Sequence, residues 1–259
     1  MKTFNYLMPG IIAAAAALGN ATAFAQDAAM IETDASGTLV TYSDATITAV
    51  LSQAGTSSDG YSYSNWAFLA NDGTGSLEIF GHLPSGSTYV PTVGDQITLS
   101  GTYSPFNSIP EIGTLTSITL VSSGNPVAPS VVTTIPTIDS ALPNLPEPSI
   151  GGQLLTLDNV TISGLTTFPT HANGTATITD GGGNTMTLFQ YASSYSGAGA
   201  LGGQSVPTGP VDITGIADVF DGATEFIPVA ITPVPEPSCL ALLGMGGVAC
   251  VGFLRRFKK

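Results

Sequence analysis

The side chains that could carry out chemistry are few, and they stand apart from one another in the sequence. His82 and His171 are the two histidines, and a shared metal site would require distant parts of the chain to pack together. Glu111 and Glu225 are single carboxylates, whereas a glycosidase needs two within reach of one bond. We therefore predict no catalytic residue and no metal ligand, and we expect the histidines to lie in loops.

Two aspartates precede glycine-rich stretches. Asp72 begins Asp-Gly-Thr-Gly and Asp180 begins Asp-Gly-Gly-Gly. Either could bind calcium or act as an acid, but a dedicated calcium loop needs further acidic residues at alternate positions. Glycine-rich turns favour Asp because its side chain accepts hydrogen bonds from the backbone that follows. We interpret both residues as turn caps.

Motifs of known catalytic centres are missing from the sequence. It has no Gly-x-Ser-x-Gly elbow, no His-Glu-x-x-His pair and no phosphate-cradling loop. Cys239 and Cys250 lie in the C-terminal apolar segment, so the body has no disulfide, thiolate metal site or cysteine nucleophile. We expect a protein that is not an enzyme and that uses no cofactor.

All the charge in the body is negative. The chain has 18 Asp and Glu residues but only 5 Lys and Arg residues, and the basic ones stand at its two ends. No Lys or Arg occurs between Gln26 and Ser238. Proteins bind nucleic acids by displacing counterions from phosphates with Lys and Arg. We therefore expect no binding to nucleic acid.

Residues 1–25 are typical of a secretory signal peptide. Lys2 supplies a positive start, residues 7–18 form an apolar core, and Ala23-Phe24-Ala25 offers the small residues that signal peptidase recognises. An uncleaved anchor is the alternative, but the apolar core is short for a helix that spans a membrane. We predict export and cleavage before Gln26.

The C-terminal segment combines three features in order. Pro235, Glu236, Pro237 and Ser238 precede the uncharged residues 239–254, and a basic end follows with Arg255, Arg256, Lys258 and Lys259. A helix over 239–254 is about 24 Å long, and snorkelling basic side chains can extend it across a bilayer core of about 30 Å. The basic residues keep this end in the cytoplasm and the body outside. A buried helix of the body is the alternative to this transmembrane helix.

The segment 234–259 resembles the PEP-CTERM sorting signal of Gram-negative bacteria. The resemblance implies that an exosortase reads the tail, cleaves near Pro-Glu-Pro, and transfers or releases the protein. An internal copy, Pro146-Glu147-Pro148-Ser149, has no apolar segment or basic residues behind it. We expect a protein that is anchored transiently in the envelope membrane, with its body periplasmic or extracellular.

The body contains two copies of one sequence pattern. Residues 97–106 resemble 211–220, and the matched positions keep an offset of 114 residues: Gly101 with Gly215, Phe106 with Phe220, and Glu111 with Glu225. Apolar residues that alternate with Thr and Ser predict strands with one buried face. A glycine inside such a strand predicts a bulge or sharp bend, as required where a strand curls to close a barrel.

The order of elements in each copy resembles that of OB-fold-like domains found in tandem in bacterial extracellular proteins. We predict an all-β fold with two OB-like β-barrels, at 34–124 and 150–232, between the signal helix and the transmembrane helix. The proline-rich segment 125–149 would connect them, with a short helix near 137–142. Immunoglobulin-type β-sandwiches are the alternative.

Aromatic residues leave a binding role open, since Tyr and Trp stack on sugar rings and OB barrels bind oligosaccharides. The candidate ligand-stacking residues flank the two Asp-Gly turns: Tyr61, Tyr63, Trp66, Tyr191 and Tyr195. Trp66 and Phe68 can instead fill a barrel core, and we favour that interpretation for them.

Two classes of function remain from the sequence alone. The first is a non-enzymatic envelope or matrix protein that binds exopolysaccharide or has a structural role, with signal peptidase and exosortase as partners during export. The second is an accessory module of an extracellular nuclease or other hydrolase. A third, ice or surface adhesion, lacks the regular Thr-x-Thr array that such a face needs.

Overall fold

The computed structural model describes residues 25–56, 60–106, 109–141, 153–192 and 201–235. The elements of its first half are β1 Ala25–Gln26, α1 Ala28–Ile31, β2 Leu39–Ser52, β3 Gly55–Thr56, β4 Ser62–Tyr63, β5 Trp66–Asn71, β6 Ser76–Gly81, β7 Gln96–Tyr103 and β8 Glu111–Ser122. Those of its second half are β9 Val131–Thr133, α2 Ile135–Ala141, β10 Leu155–Ser163, β11 Gly174–Thr179, β12 Thr185–Gln190, β13 Val211–Phe220 and β14 Ala223–Pro233.

Each half forms a closed five-stranded barrel. In the first, the strands follow the order β2-β5-β6-β8-β7, and β7 pairs again with β2. In the second, the order is β10-β11-β12-β14-β13, and β13 pairs again with β10. All neighbours within these rings are antiparallel except β6–β8 and β12–β14, which are parallel. The all-β prediction with two OB-like barrels is confirmed, and the β-sandwich alternative is wrong.

Each barrel is preceded by a short strand and a helix that the sequence reading did not include in it. β1 pairs in parallel with β2, and α1 buries Ala28 and Ile31 in the first core. β9 pairs in parallel with β10, and α2 buries Ile135 and Ile138 in the second core. Much of the predicted connection at 125–149 is therefore packed onto the second barrel. The predicted helix near 137–142 is α2, and residue 142 lies outside the described residues.

The glycines at matched positions of the repeat sit at irregularities in the strand ladder. The register shifts between Thr214 and Gly215 in the second barrel, and between Ser100 and Thr102 around Gly101 in the first. A methyl group on Gly215 would lie 2.2 Å from the Ile227 carbonyl oxygen, so only glycine fits there. The predicted bends at both glycines are confirmed.

The two barrels have separate apolar cores and share a third cluster. The cores follow strand alternation, which is clearest in β7, where every second residue is buried. Tyr42, Phe68 and Leu77 are among the buried residues of the first core, and Phe168 and Phe226 among those of the second. The third cluster joins residues of both barrels and forms the surface on which they meet.

The predicted signal helix and the predicted transmembrane helix at 239–254 lie outside the described residues. In the ranges that are described, no helix is long and apolar enough to cross a membrane. β14 ends at Pro233, and the backbone N–H of Val234 donates to the Pro210 carbonyl 2.9 Å away. The folded body therefore continues up to the Pro-Glu-Pro sequence.

We expect Gly215→Ala to lower the free energy of unfolding by about 1–3 kcal/mol, the usual cost of overpacking a core. The added methyl group would meet the Ile227 carbonyl at 2.2 Å and the Phe226 ring at 2.7 Å. Gly181→Ala is the matched control in the same barrel, because nothing lies within 4 Å of its added methyl group. Urea unfolding of both variants measures the difference, and equal stability of the two would contradict the packing argument.

Candidate functional site

The barrels meet across an apolar surface. Ala49, Leu69 and Ile109 of the first barrel pack with Ile216 and Ile227 of the second, and all five are at least 98% buried. A polar contact also crosses the junction, since a serine hydroxyl near the end of β2 donates to a carbonyl after β12 at 2.8 Å. The two barrels are therefore held by burial of apolar surface together with directed polar contacts.

Four carboxylates come together beside this apolar surface and form what we call the carboxylate cluster. Glu78 on β6 pairs in register with Glu111 on β8, and Asp218 on β13 pairs in register with Glu225 on β14. Electrostatic repulsion acts between Glu78 and Asp218, which belong to different barrels. Each barrel thus contributes one cross-strand pair of acids to a single cluster.

The cluster is largely withdrawn from solvent. The exposed fraction is 3% for Glu78, 2% for Asp218 and 8% for Glu225, while Glu111 is partly exposed. The Oε1 atom of Glu78 is buried and has no hydrogen-bond partner among the described residues. A buried ionised carboxylate without compensation is costly, so this arrangement favours the neutral acids.

Burial and like charge together raise the pKa values of the cluster. Burial, followed by the charges of Glu111 and Asp218, raises the pKa of Glu78 to about 8. Burial also raises the pKa of Glu111 and that of Asp218 to about 7, and it raises the pKa of Glu225. The pKa of Tyr191 rises as well, through burial and then through repulsion by all four acids.

Lys and Arg cannot compensate this charge, because neither occurs between Gln26 and Ser238. In the described part of the chain, no group of three or more His, Cys, Asp or Glu residues is arranged to hold a metal ion. Burial and mutual repulsion therefore favour the protonated forms of Glu78, Glu111 and Asp218.

Glu111 and Glu225 are the repeated carboxylates that the sequence singled out as single residues. The structure brings them into one cluster through the pairing of the barrels. Glu78 and Asp218, the other two members, were missed. The signal that could have found them is an acid within a strand of mostly buried residues, as in Ser-Leu-Glu-Ile-Phe and Gly-Ile-Ala-Asp-Val.

The two aspartates of the Asp-Gly turns act as caps, as the sequence indicated. Asp72 accepts hydrogen bonds from the N–H groups of Thr74 and Gly75, and its second oxygen accepts from Ala28 N of α1 at 2.8 Å. Asp180 accepts from the backbone of its own turn, and the hydrogen bond from the Asn184 side chain is the main cause of its lowered pKa. Asp72 thus also fixes the helix against its barrel.

The histidines lie in loops, as expected. His82 is exposed after β6. His171, before β11, stacks on Tyr61 with ring centroids 4.5 Å apart and an interplanar angle of 16°. This pair joins the loops between the first and second strands of the two barrels.

The other ligand-stacking candidates occupy different environments. Trp66 is 6% exposed and belongs to the first core with Phe68, which confirms the core interpretation and removes the Trp66 ring as a stacking surface. Tyr191 packs edge-on against Phe189 at 5.2 Å, beside the apolar surface between the barrels. Tyr63 is half-buried on β4.

Tyr195 lies outside the described residues. Two exposed aromatic rings that the sequence matched only as repeat positions are Phe106 and Phe220, which are 50% and 56% exposed. Phe106 lies between β7 and β8, the fourth and fifth strands of the first barrel. Phe220 is the last residue of β13, the fourth strand of the second barrel. Their equivalence was visible in the sequence, whereas their exposure depends on the barrels.

Comparison with known protein families gives a match at the C-terminal end of the chain. A family model described as the PEP-CTERM protein-sorting motif matches residues 233–256, which confirms the predicted sorting signal. The match includes Arg255 and Arg256, and it starts at the last residue of β14. The motif indicates an exported chain that an exosortase sorts, with a membrane-anchored C-terminal sorting region.

Among solved structures, a Replication Protein A heterotrimer bound to ssDNA is similar at 11% identity and a TM-score of 0.28. The similarity covers 88% of this chain and 72% of that chain. At this TM-score it supports no inference, and the fold assignment rests on the strand pairing. No curated protein matches the chain.

We expect the free energy of unfolding to fall as the pH rises from about 5 to about 8. The pKa values of Glu78, Glu111 and Asp218 are raised in the folded state, so the folded chain holds more protons than the unfolded chain over this window. Each excess proton lowers stability by about 1.4 kcal/mol per pH unit. Below the ordinary pKa of a carboxyl group the folded and unfolded chains are both protonated. The stabilising contribution of the cluster to the free energy of unfolding is then fully present. Urea unfolding at several pH values measures the slope.

Glu78→Gln should flatten this slope, because the amide keeps the shape of the protonated acid and does not ionise. Asp158→Asn, a change of an exposed carboxylate, is the control and should leave the slope as it is. A stability that rises with pH across the window would contradict the assignment of a protonated cluster.

Proposed function

Because the sorting motif makes this an exported chain that an exosortase handles, we propose that it is a non-enzymatic protein of the cell envelope or extracellular matrix. Its two barrels bind neutral segments of exopolysaccharide. The observation that carries the binding proposal is the pair of exposed rings, Phe106 and Phe220, at equivalent places in both barrels.

The position of the sorting motif supports a role at the envelope. The last strand ends at Pro233, and the motif begins at that same residue. A body attached without a long spacer stays within a few residues of the segment that the exosortase reads. The second barrel is then held next to the membrane until the tail is processed.

The charge of the body favours neutral sugar over nucleic acid or acidic polymers. Between Gln26 and Ser238 there are carboxylates but no Lys or Arg. Such a surface repels phosphate backbones and uronic acids alike. Neutral sugar rings can be bound without basic residues, because stacking on aromatic rings and hydrogen bonds to hydroxyl groups supply the attraction.

OB barrels bind oligosaccharides with the loop between the first and second strands and the loop between the fourth and fifth. Phe106 lies in the latter loop of the first barrel, and Phe220 is the last residue before it in the second barrel. The partly buried Tyr61–His171 stack joins the former loops. Two equivalent sites on one chain would bind a polymer more tightly than either alone.

The burial of the carboxylate cluster supports a non-enzymatic role. Three of its four members are at least 92% buried, and they lie beside the apolar surface between the barrels. A glycosidase must place its two acids on either side of a bond in the substrate. Acids enclosed between the barrels do not reach a polymer on the surface.

The test is retention on immobilised exopolysaccharide. Mature protein from its own cells, with both ends located by mass spectrometry, is compared with the Phe106→Ala/Phe220→Ala variant. We expect at least a tenfold loss of affinity in the double variant, about 1.4 kcal/mol, because two stacking surfaces are removed. Val132→Ala, at an exposed aliphatic residue on β9, is the control and should bind as the unchanged protein does.

Failure of the unchanged protein to bind any neutral polymer would contradict the proposal, as would full retention by the double variant. Nuclease or other hydrolase activity that persists through purification would instead support the accessory-module alternative.

A further inference from the structure

We propose that the carboxylate cluster is a proton-operated latch, which holds the two barrels together while it is protonated and releases them when it ionises. The latch is independent of what the barrels bind. It would let the pH outside the cell set the orientation of one barrel relative to the other.

The first support is that the cluster is divided between the barrels. Glu78 and Glu111 belong to the first barrel, and Asp218 and Glu225 to the second. Every ionised pair across the junction therefore repels one barrel from the other. If all four acids belonged to one barrel, their ionisation would strain that barrel and leave the junction intact.

The second support is the unsatisfied oxygen of Glu78. Its Oε1 atom is buried without a hydrogen-bond partner, and its side chain interacts with the charges of Glu111 and Asp218. Such an atom is tolerated far better on a neutral acid than on a carboxylate. Opening the junction would return it to water, so ionisation and opening favour each other.

The groups that face the cluster offer no positive charge. Glu78 faces Glu111 and Asp218, and Asp218 also faces Glu225. Tyr191, after β12, interacts with all four acids and is itself neutral until strongly alkaline pH, since its pKa is raised. As the sequence has no Lys or Arg between residues 26 and 238, ionisation of the cluster adds only repulsion.

The apolar and hydrogen-bonding contacts that keep the junction closed do not depend on pH, whereas the repulsion between the acids increases as they ionise. The apolar cluster and the hydrogen bond from Ser52 to Ala192 favour the closed state at every pH. The raised pKa values of Glu78, Glu111 and Asp218 give the window, from about 5 to about 8, over which the closed state retains protons that the open state releases. The constant for opening rises about tenfold per pH unit for each proton released.

A titratable contact outside the carboxylate cluster also crosses the junction. His171 of the second barrel stacks on Tyr61 of the first, and its protonation at low pH is a competing source of pH dependence. Opening would separate this stack as well. The experiment must therefore distinguish His171 from the carboxylates.

The experiment measures the distance between the barrels as a function of pH. Nitroxide labels are placed in the full chain in detergent at S85C and T208C, two exposed loop positions, with Cys239 and Cys250 changed to serine. Pulsed electron–electron double resonance then gives the distribution of distances between the two labels. We expect one short distance at pH 5 and a broad, longer distribution at pH 9, with the equilibrium constant for opening rising at least tenfold per pH unit within the window.

Variants assign the effect to the cluster. Glu78→Gln combined with Asp218→Asn should keep the short distance up to pH 9, because one acid on each side of the junction no longer ionises. Glu111→Gln, which changes the partly exposed member of the cluster, should move the midpoint of opening to higher pH. This single variant provides the test if the double variant fails to fold. Asp158→Asn is a control that should open over the same range as the unchanged chain. His171→Gln removes a stacking contact of the closed state, and its opening should still depend on pH.

Three results would overturn the proposal. The first is a distance that stays the same from pH 5 to pH 9. The second is a pH dependence that His171→Gln removes and Glu78→Gln leaves in place. The third is closure at pH 9 on addition of millimolar calcium to the unchanged chain, which would make the cluster a cation site rather than a proton latch.

Discussion

The arrangement of this protein depends on one constraint, the gathering of four carboxylates, three of them buried, at a junction where the body has no Lys or Arg to neutralise them. Two barrels of the same topology pack through an apolar surface, and each places a pair of acids beside it. Closing the junction favours the protonated form of these acids, because an ionised carboxylate loses its hydration on burial. The stability of the fold, the protonation of the cluster and the packing of one barrel on the other therefore depend on the same four residues.

The constraint follows from how the sequence distributes its charge. All 18 carboxylates lie in the body, and Lys and Arg stand only at the two ends, where those behind the sorting motif favour a cytoplasmic position for that end. This separation leaves the barrel junction without Lys or Arg to pair with its carboxylates.

Much of the fold could be predicted from the sequence, because the repeat fixed the order of the strands and alternation fixed their buried faces. Gly101 and Gly215 were read correctly as bends. The short units β1–α1 and β9–α2 were not assigned to the barrels, since strands of two or three residues are too short to show a period. Glu78 and Asp218 were missed for another reason: their proximity depends on how the barrels pack, which no local pattern encodes. The exposure of Phe106 and Phe220 likewise required the three-dimensional structure.

The central claim is that the acids between the barrels are protonated near neutral pH, and Glu78 is its most direct reporter. The measurement is a nuclear magnetic resonance titration of the Glu78 side-chain carboxyl carbon in the full chain, assigned by comparison with the Glu78→Gln variant. The account predicts a midpoint well above the ordinary glutamate value of 4.5, at a pH of about 8. A midpoint near 4.5 in the folded chain would contradict it, because the junction would then accommodate an ionised carboxylate.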